Sequence, residues 1–149
     1  MRNLSVKSIL ISSLLVCVPT MASAEEIIVK MLNKGSDGTM MVFEPQLVKA
    51  NVGDTVRFVA TDPSHNAETI KGMIPDGATG FKGKMNQDVV FDAAQPGVYG
   101  VKCMPHYGMG MVSLVIVGDE TPNLEEAKSA RHVGKAKTKF AELFAKVEE

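Results

Sequence analysis

The chain has 149 residues, 45% hydrophobic and 22% charged, with 16 Lys+Arg against 17 Asp+Glu for a formal net charge of −1. This near-neutral balance gives no basis for nucleic-acid binding, and the length suits one globular core rather than several. Two cysteines, Cys17 and Cys103, exclude a scaffold built on a disulfide framework.

Residues 1–24 carry the marks of an export signal. Arg2 and Lys7 make a basic start, ILISSLLVCV is an apolar run too short to span a bilayer, and ASA at 22–24 has the small-x-small pattern of a cleavage site. Val16 before Cys17 argues against a lipoprotein. Cleavage after Ala24 leaves about 125 residues, and removing Arg2 and Lys7 from a net charge of −1 takes it to about −3. Only Cys103 then remains. A lone exposed thiol in an exported protein is open to oxidation, so this one is expected to be buried and inert or to hold a ligand.

Short β-rich runs follow one another between turn signals: EIIVKML, MMVFEP, QLVKA, TVRFVAT, NAETI, DVVFDA, GVYGVKC and MVSLVIVG. TVRFVAT alternates, with Val56, Phe58 and Ala60 on one face and Thr55, Arg57 and Val59 on the other. ANVGD before it has the chemistry of a tight reversal. About eight short strands with Gly- and Pro-rich turns predict an all-β antiparallel sandwich or barrel. From Asn123 the composition shifts to Ala, Glu, Lys and Leu, predicting two helices broken at Gly134. Leu124, Ala127 and Ala130 share a face of the first helix. Phe140, Leu143, Phe144 and Val147 form an i, i+3, i+4, i+7 stripe on the second, suited to docking on the sandwich. Glu and Lys alternate on the remaining faces, which reads as solvated surface.

The chemistry concentrates in VKCMPHYGMGM, residues 101–111. Cys103 ends a strand-like run, His106 follows three residues on, and Met109 and Met111 lie within reach. Thiolate, imidazole and thioether make a soft donor set, fit for copper and poor for magnesium or calcium. Zinc also takes Cys and His, but its structural sites want four thiolate or imidazole ligands, and the chain has too few cysteines. A further strong ligand is expected from His65, in DPSHNAETI at a loop-to-strand boundary, rather than from His132 among the basic residues of the tail.

These features are shared with a known family. MLNKG (31–35), FEP (43–45), KANVGDTV (49–56), HNAE (65–68), MIPDGA (73–78), VKCMPHYGMGM and the two-helix tail resemble the small blue-copper proteins of the cupredoxin family, in particular its pseudoazurin branch. The resemblance implies a cupredoxin-like Greek-key β-sandwich at residues 25–118, with a two-helix extension at 119–149 packed on it. It implies one type 1 copper ion, cycling between Cu(I) and Cu(II), held by His65, Cys103 and His106, with Met111 as the longer axial ligand and Met109 the alternative. Asn66 is placed to tether the two ligand loops through its amide, and Pro105, lacking an N–H, withholds a donor from the sulfur.

The implied function is one-electron transport in the periplasm by a monomer with no membrane or nucleic-acid partner. Nitrite reductase is the implied acceptor and cytochromes the implied donors. Docking would use the edge of His106 within an apolar patch of Met40, Met41, Pro105 and Met109, ringed by Lys34, Lys82 and Lys102, with Lys71 and Lys84 further candidates. Met104 and Pro63 depart from the family, where threonine and lysine occur. Two other functions fit parts of the pattern. Cys103 and His106 could serve a thiol enzyme, and the methionine-rich loop could serve copper storage or delivery.

Overall fold

The structure, a computed structural model, describes residues 23–148. The expected signal peptide, residues 1–24, lies outside them except for Ser23 and Ala24. Eight strands run in chain order as β1 (Glu26–Lys34), β2 (Met40–Glu44), β3 (Leu47–Ala50), β4 (Thr55–Val59), β5 (Glu68–Thr69), β6 (Val89–Asp92), β7 (Gly97–Lys102) and β8 (Val112–Val117). Two helices, α1 (Leu124–Ser129) and α2 (Ala136–Val147), follow. The strands form two four-stranded sheets, ordered β2-β1-β4-β6 and β3-β8-β7-β5.

Antiparallel pairing holds for β1–β2, β4–β6, β5–β7 and β7–β8, but β1 pairs with β4, and β3 with β8, in parallel. That corrects the expectation of an antiparallel sandwich. The chain crosses from one sheet to the other after each of β2 to β6, so strands remote in sequence become neighbours without a hairpin between them. Alternation along a strand reports which face is buried and carries no information on the direction of its neighbour.

Between the sheets lies a core of Val29, Met31, Phe43, Val56, Phe58, Phe91, Tyr99, Val101, Val115 and Val117. Phe58 packs edge-on against Phe43, and Phe91 packs against Tyr99. Strand β8 is buried at every position. Its Val115 and Val117 face the sandwich, while Val112, Leu114 and Ile116 face a second core with Phe140, Leu143 and Phe144 of α2. A strand covered on both faces reads as a continuous apolar run, which accounts for VSLVIV. The helical tail is therefore a third layer. Full burial of a side chain such as Leu143 contributes about 1.5–3 kcal/mol.

The tail departs from expectation in one respect. Helix α1 stops at Ser129, Ala130 is extended, and the break runs on to Lys135 instead of falling at Gly134 alone. At the opposite end of the sandwich from Cys103, the reversal before β4 is held by Gly53, at φ +100°, and by Asp54. The Asp54 carboxylate accepts the Glu25 N–H at 2.9 Å and the Asn51 N–H at 2.7 Å. These backbone donors, Glu25 first, hold its pKa below the usual carboxylate range.

A folded pKa below the unfolded one makes the ionised form stabilising. The contribution is complete above the unfolded value of about 3.9 and is lost as pH falls through the lower folded value. Urea unfolding followed from about pH 6 to about pH 2 should show Asp54→Asn losing part of the acid-range fall in stability. Parallel curves for parent and variant would contradict this role of Asp54.

Candidate metal centre

Paired strands place the donors. Strand β7 ends at Lys102 and β8 begins at Val112, and their ladder is extended by a hydrogen bond from Cys103 N–H to Met111 O at 3.0 Å. Cys103 and Met111 are thus fixed opposite one another, both fully buried. The chain between them folds back as a 3-10 turn at Tyr107–Met109, led by His106. The Met109 and Met111 N–H groups both donate to His106 O.

His65 arrives from the β4–β5 connection. Asp62 N–H donates to Met31 O, and Asp62 Oδ2 accepts the Asn33 N–H at 2.7 Å, stitching this connection to the end of β1. Asn86 N–H donates to His65 O from the other side. The imidazole is completely buried. Its Nε2 lies 2.9 Å from Asn33 Oδ1. An amide oxygen only accepts, so Nε2 carries the proton and Nδ1 presents its lone pair inward.

That lone pair meets two other donors. His65 Nδ1 lies 3.1 Å from His106 Nδ1 and 3.7 Å from Cys103 Sγ, and His106 Nδ1 lies 3.5 Å from the same sulfur. Among the described residues, these three form the group of His, Cys, Asp or Glu able to hold a metal ion. The triangle admits one ion at ordinary bonding distances, about 2.0–2.1 Å to nitrogen and about 2.3 Å to sulfur. Burial pushes the Cys103 thiol pKa up, against the backbone N–H groups of Asn66 and His106, which favour thiolate. Burial also pulls the His65 pKa down, with His106 acting in the same direction. Both groups are therefore neutral and poorly hydrated without a metal, and loading one must expel the thiol proton. A fully buried thiol with a raised pKa is the opposite of an activated nucleophile.

Asn66 joins the two loops. Its Oδ1 accepts the Met104 N–H at 2.8 Å, and its Nδ2 donates to Gly83 O at 3.2 Å and Glu68 Oε2 at 3.3 Å. His106 is half-buried and Pro105 exposed beside it. Of the residues expected at a docking face, Met40, Met109, Lys34, Lys71, Lys82 and Lys84 are exposed, while Met41 is half-buried. Lys102 is half-buried and bonded to Glu68 at 3.3 Å, with its ammonium 5.2 Å from the centre of the Tyr107 ring. The apolar residues divide between two grooves. One contains Lys82, Lys84, Met85, Met104 and Pro105, and the other Met40, Met109, Lys135 and Lys139.

Several of these residues carried no signal in the sequence. Asn33 falls just past the run EIIVKML, within MLNKG, where nothing marks it as a partner of His65, and Lys135 and Lys139 reach the Met40–Met109 groove only because the tail folds back over it. Met85 is one exposed methionine in a turn-rich stretch.

Comparison with known proteins also points to copper. The family profile described as copper binding proteins, plastocyanin/azurin family, matches residues 29–118. A pseudoazurin of Methylorubrum extorquens is 51% identical over 127 residues, 85% of each chain. A pseudoazurin of Paracoccus pantotrophus is 48% identical over 134 residues, 90% of each chain. Among solved structures, a Sinorhizobium pseudoazurin superposes with a TM-score of 0.81 at 46% identity, covering 84% of this chain and 98% of its own.

The Asn33 contact generates a test. Partners that fix the tautomer of a metal-binding histidine are worth about 10–100-fold in affinity. Asn33→Leu should weaken copper binding by that factor in competition with a chelator, while the His65 ring of the metal-free variant loses its single Nε2–H tautomer by nitrogen-15 NMR. Unchanged affinity and tautomer would remove Asn33 from the site.

Proposed function

The chain belongs to the plastocyanin/azurin family of copper-binding proteins, and from that premise we propose that His65, Cys103, His106 and Met111 hold its copper and that it shuttles electrons between periplasmic redox proteins. The observation that carries this reading is the convergence of His65 Nδ1, Cys103 Sγ and His106 Nδ1 within 4.8 Å of one another. The copper supplies a one-electron couple when bound. The protein is an electron carrier of its family and not an enzyme.

The chain's own residues divide the remaining tasks. Cys103, His65 and Met111 are wholly enclosed, so water is kept from three sides of the site. Hydrogen bonds that fix His65, Asn66 and the Cys103–Met111 pair in place leave the donors little freedom to rearrange. A site that does not rearrange suits repeated loss and gain of one electron. Met111 is assigned as the fourth ligand because it is buried with Cys103 in the same core, whereas Met109 is 51% exposed. Met104, 60% exposed, also lies on the surface, so the loop's methionines do not gather into a multi-thioether site of the storage type.

Half-buried His106 is the route outward. Exposed Met40, Met104, Met109 and Pro105 give the surrounding surface an apolar character, and Lys82 and Lys84 add positive charge beside it. Lys34 is exposed and suits the same use, whereas Lys102 is partly neutralised by Glu68. The departure at Pro63 takes a charge out of the ring that relatives can have there. Such a face fits an acidic partner met briefly, with a copper nitrite reductase as acceptor and cytochromes as donors. The net charge of −1 does not oppose this, because steering depends on where charge lies. The leader at residues 1–24 accords with a periplasmic location.

Stopped-flow reduction of a copper nitrite reductase across a salt series is the test. The second-order rate should fall about tenfold or more from low to high ionic strength, and Lys82→Glu with Lys84→Glu should slow it at low salt. A rate indifferent to both would refute steering by this face.

A further inference from the structure

The outer turn of the ligand loop has no core of its own. None of Tyr107, Gly108 and Met109 is fully buried, Tyr107 resting only at the edge of the core beneath α2, yet the turn follows His106 directly and must be held still if that ring is to keep its place. Its external supports come from the link between α1 and α2. Lys135 N–H donates to Gly108 O at 2.9 Å. Gly134, at φ +54°, approaches so closely that a Cβ there would stand 2.3 Å from the same oxygen. Tyr107 Oη lies 2.7 Å from His132 Nδ1.

His132 is itself anchored. Its ring stacks on Phe140, with centroids 4.3 Å apart and planes at 29°, and Phe140 is buried in the core beneath α2. Burial lowers the pKa of His132, so a neutral ring faces the phenol, whose hydroxyl donates to the Nδ1 lone pair. His132 Nε2 is buried with no hydrogen-bond partner among the described residues. Sandwich packing does not explain a buried nitrogen left unpaired, and holding Tyr107 supplies a reason to keep the ring there.

We propose that the segment from His132 to Lys135 is a clamp on the copper loop, in which His132 is a positioning residue that holds His106 in place through the Tyr107 hydroxyl. This rests on the copper reading of the site. It assigns the helical tail a part in setting the metal centre, beyond covering β8.

The test uses His132→Phe, which keeps the stacking and removes the acceptor, Tyr107→Phe, the double variant, and His132→Asn, whose Oδ1 stands near the position of Nδ1. In the metal-free proteins, amide hydrogen exchange at Met109 and Gly110 should quicken about two- to tenfold in both Phe variants. The double variant should add little to either one. In the copper-loaded proteins the reduction potential and visible spectrum should shift in the same order, with His132→Asn returning towards the parent. Potential, spectrum and loop exchange all equal to the parent, with only the thermal midpoint lowered, would overturn the proposal. If His132→Phe does not fold, Tyr107→Phe alone decides by the same readouts. A parent protein that takes up no copper would refute the copper reading, and the exchange data would still decide the clamp.

Discussion

The hydrogen bond from Cys103 N–H to Met111 O sets the position of everything around the metal centre. It extends the β7–β8 ladder by one level, so two soft side chains emerge facing each other at the end of the most deeply buried strand pair. The chain between them has no choice but to loop outward, and His106 sits where that loop turns back. The core beneath supplies the rigidity. Val101 and Val115 pack inside the sandwich and Leu114 and Val112 pack under the tail, so the ladder cannot slip without exposing both layers.

Against this fixed pair, His65 is brought in on the crossing from β4, in the other sheet, to β5. Its position depends on polar contacts rather than packing: Asn33 on one ring nitrogen, Asn86 on its carbonyl, and Asp62 holding the preceding turn to β1. Buried polar groups that are fully partnered hold a geometry more sharply than apolar contacts do, because each misplacement leaves a donor or acceptor without a partner. Asn66 then couples the two loops, and Glu68 connects it to Lys102. The centre is thus rigid on its deep side and supported by the tail on its outer side.

Much of this was legible in the sequence. The eight strand segments were set by β-branched runs and turn residues, and the stripe from Phe140 to Val147 identified the face of α2 that docks. Cys103 and His106 declared themselves by spacing, and His65 by lying in a sheet connection while His132 lay in the tail. What escaped the sequence depends on tertiary geometry. Parallel pairing of β1 with β4 follows from crossings between sheets. Asn33 became informative only once β1 ended beside His65. Lys102 looked like a free surface charge, but β5 places Glu68 directly opposite it. His132 seemed one more polar residue in a charged tail, and its stacking on Phe140 required the break between helices to be wider than a single glycine.

We propose that the buried Cys103 thiol is kept unpaired because it binds copper with two imidazoles. This is tested most directly by the visible absorption and electron spin resonance spectra of the oxidised, copper-loaded protein beside those of Cys103→Ser. An intense visible thiolate-to-copper band, with the small copper hyperfine splitting of a thiolate-bound site, is expected in the parent and lost in the variant. A colourless parent, or a spectrum unchanged by Cys103→Ser, would contradict it.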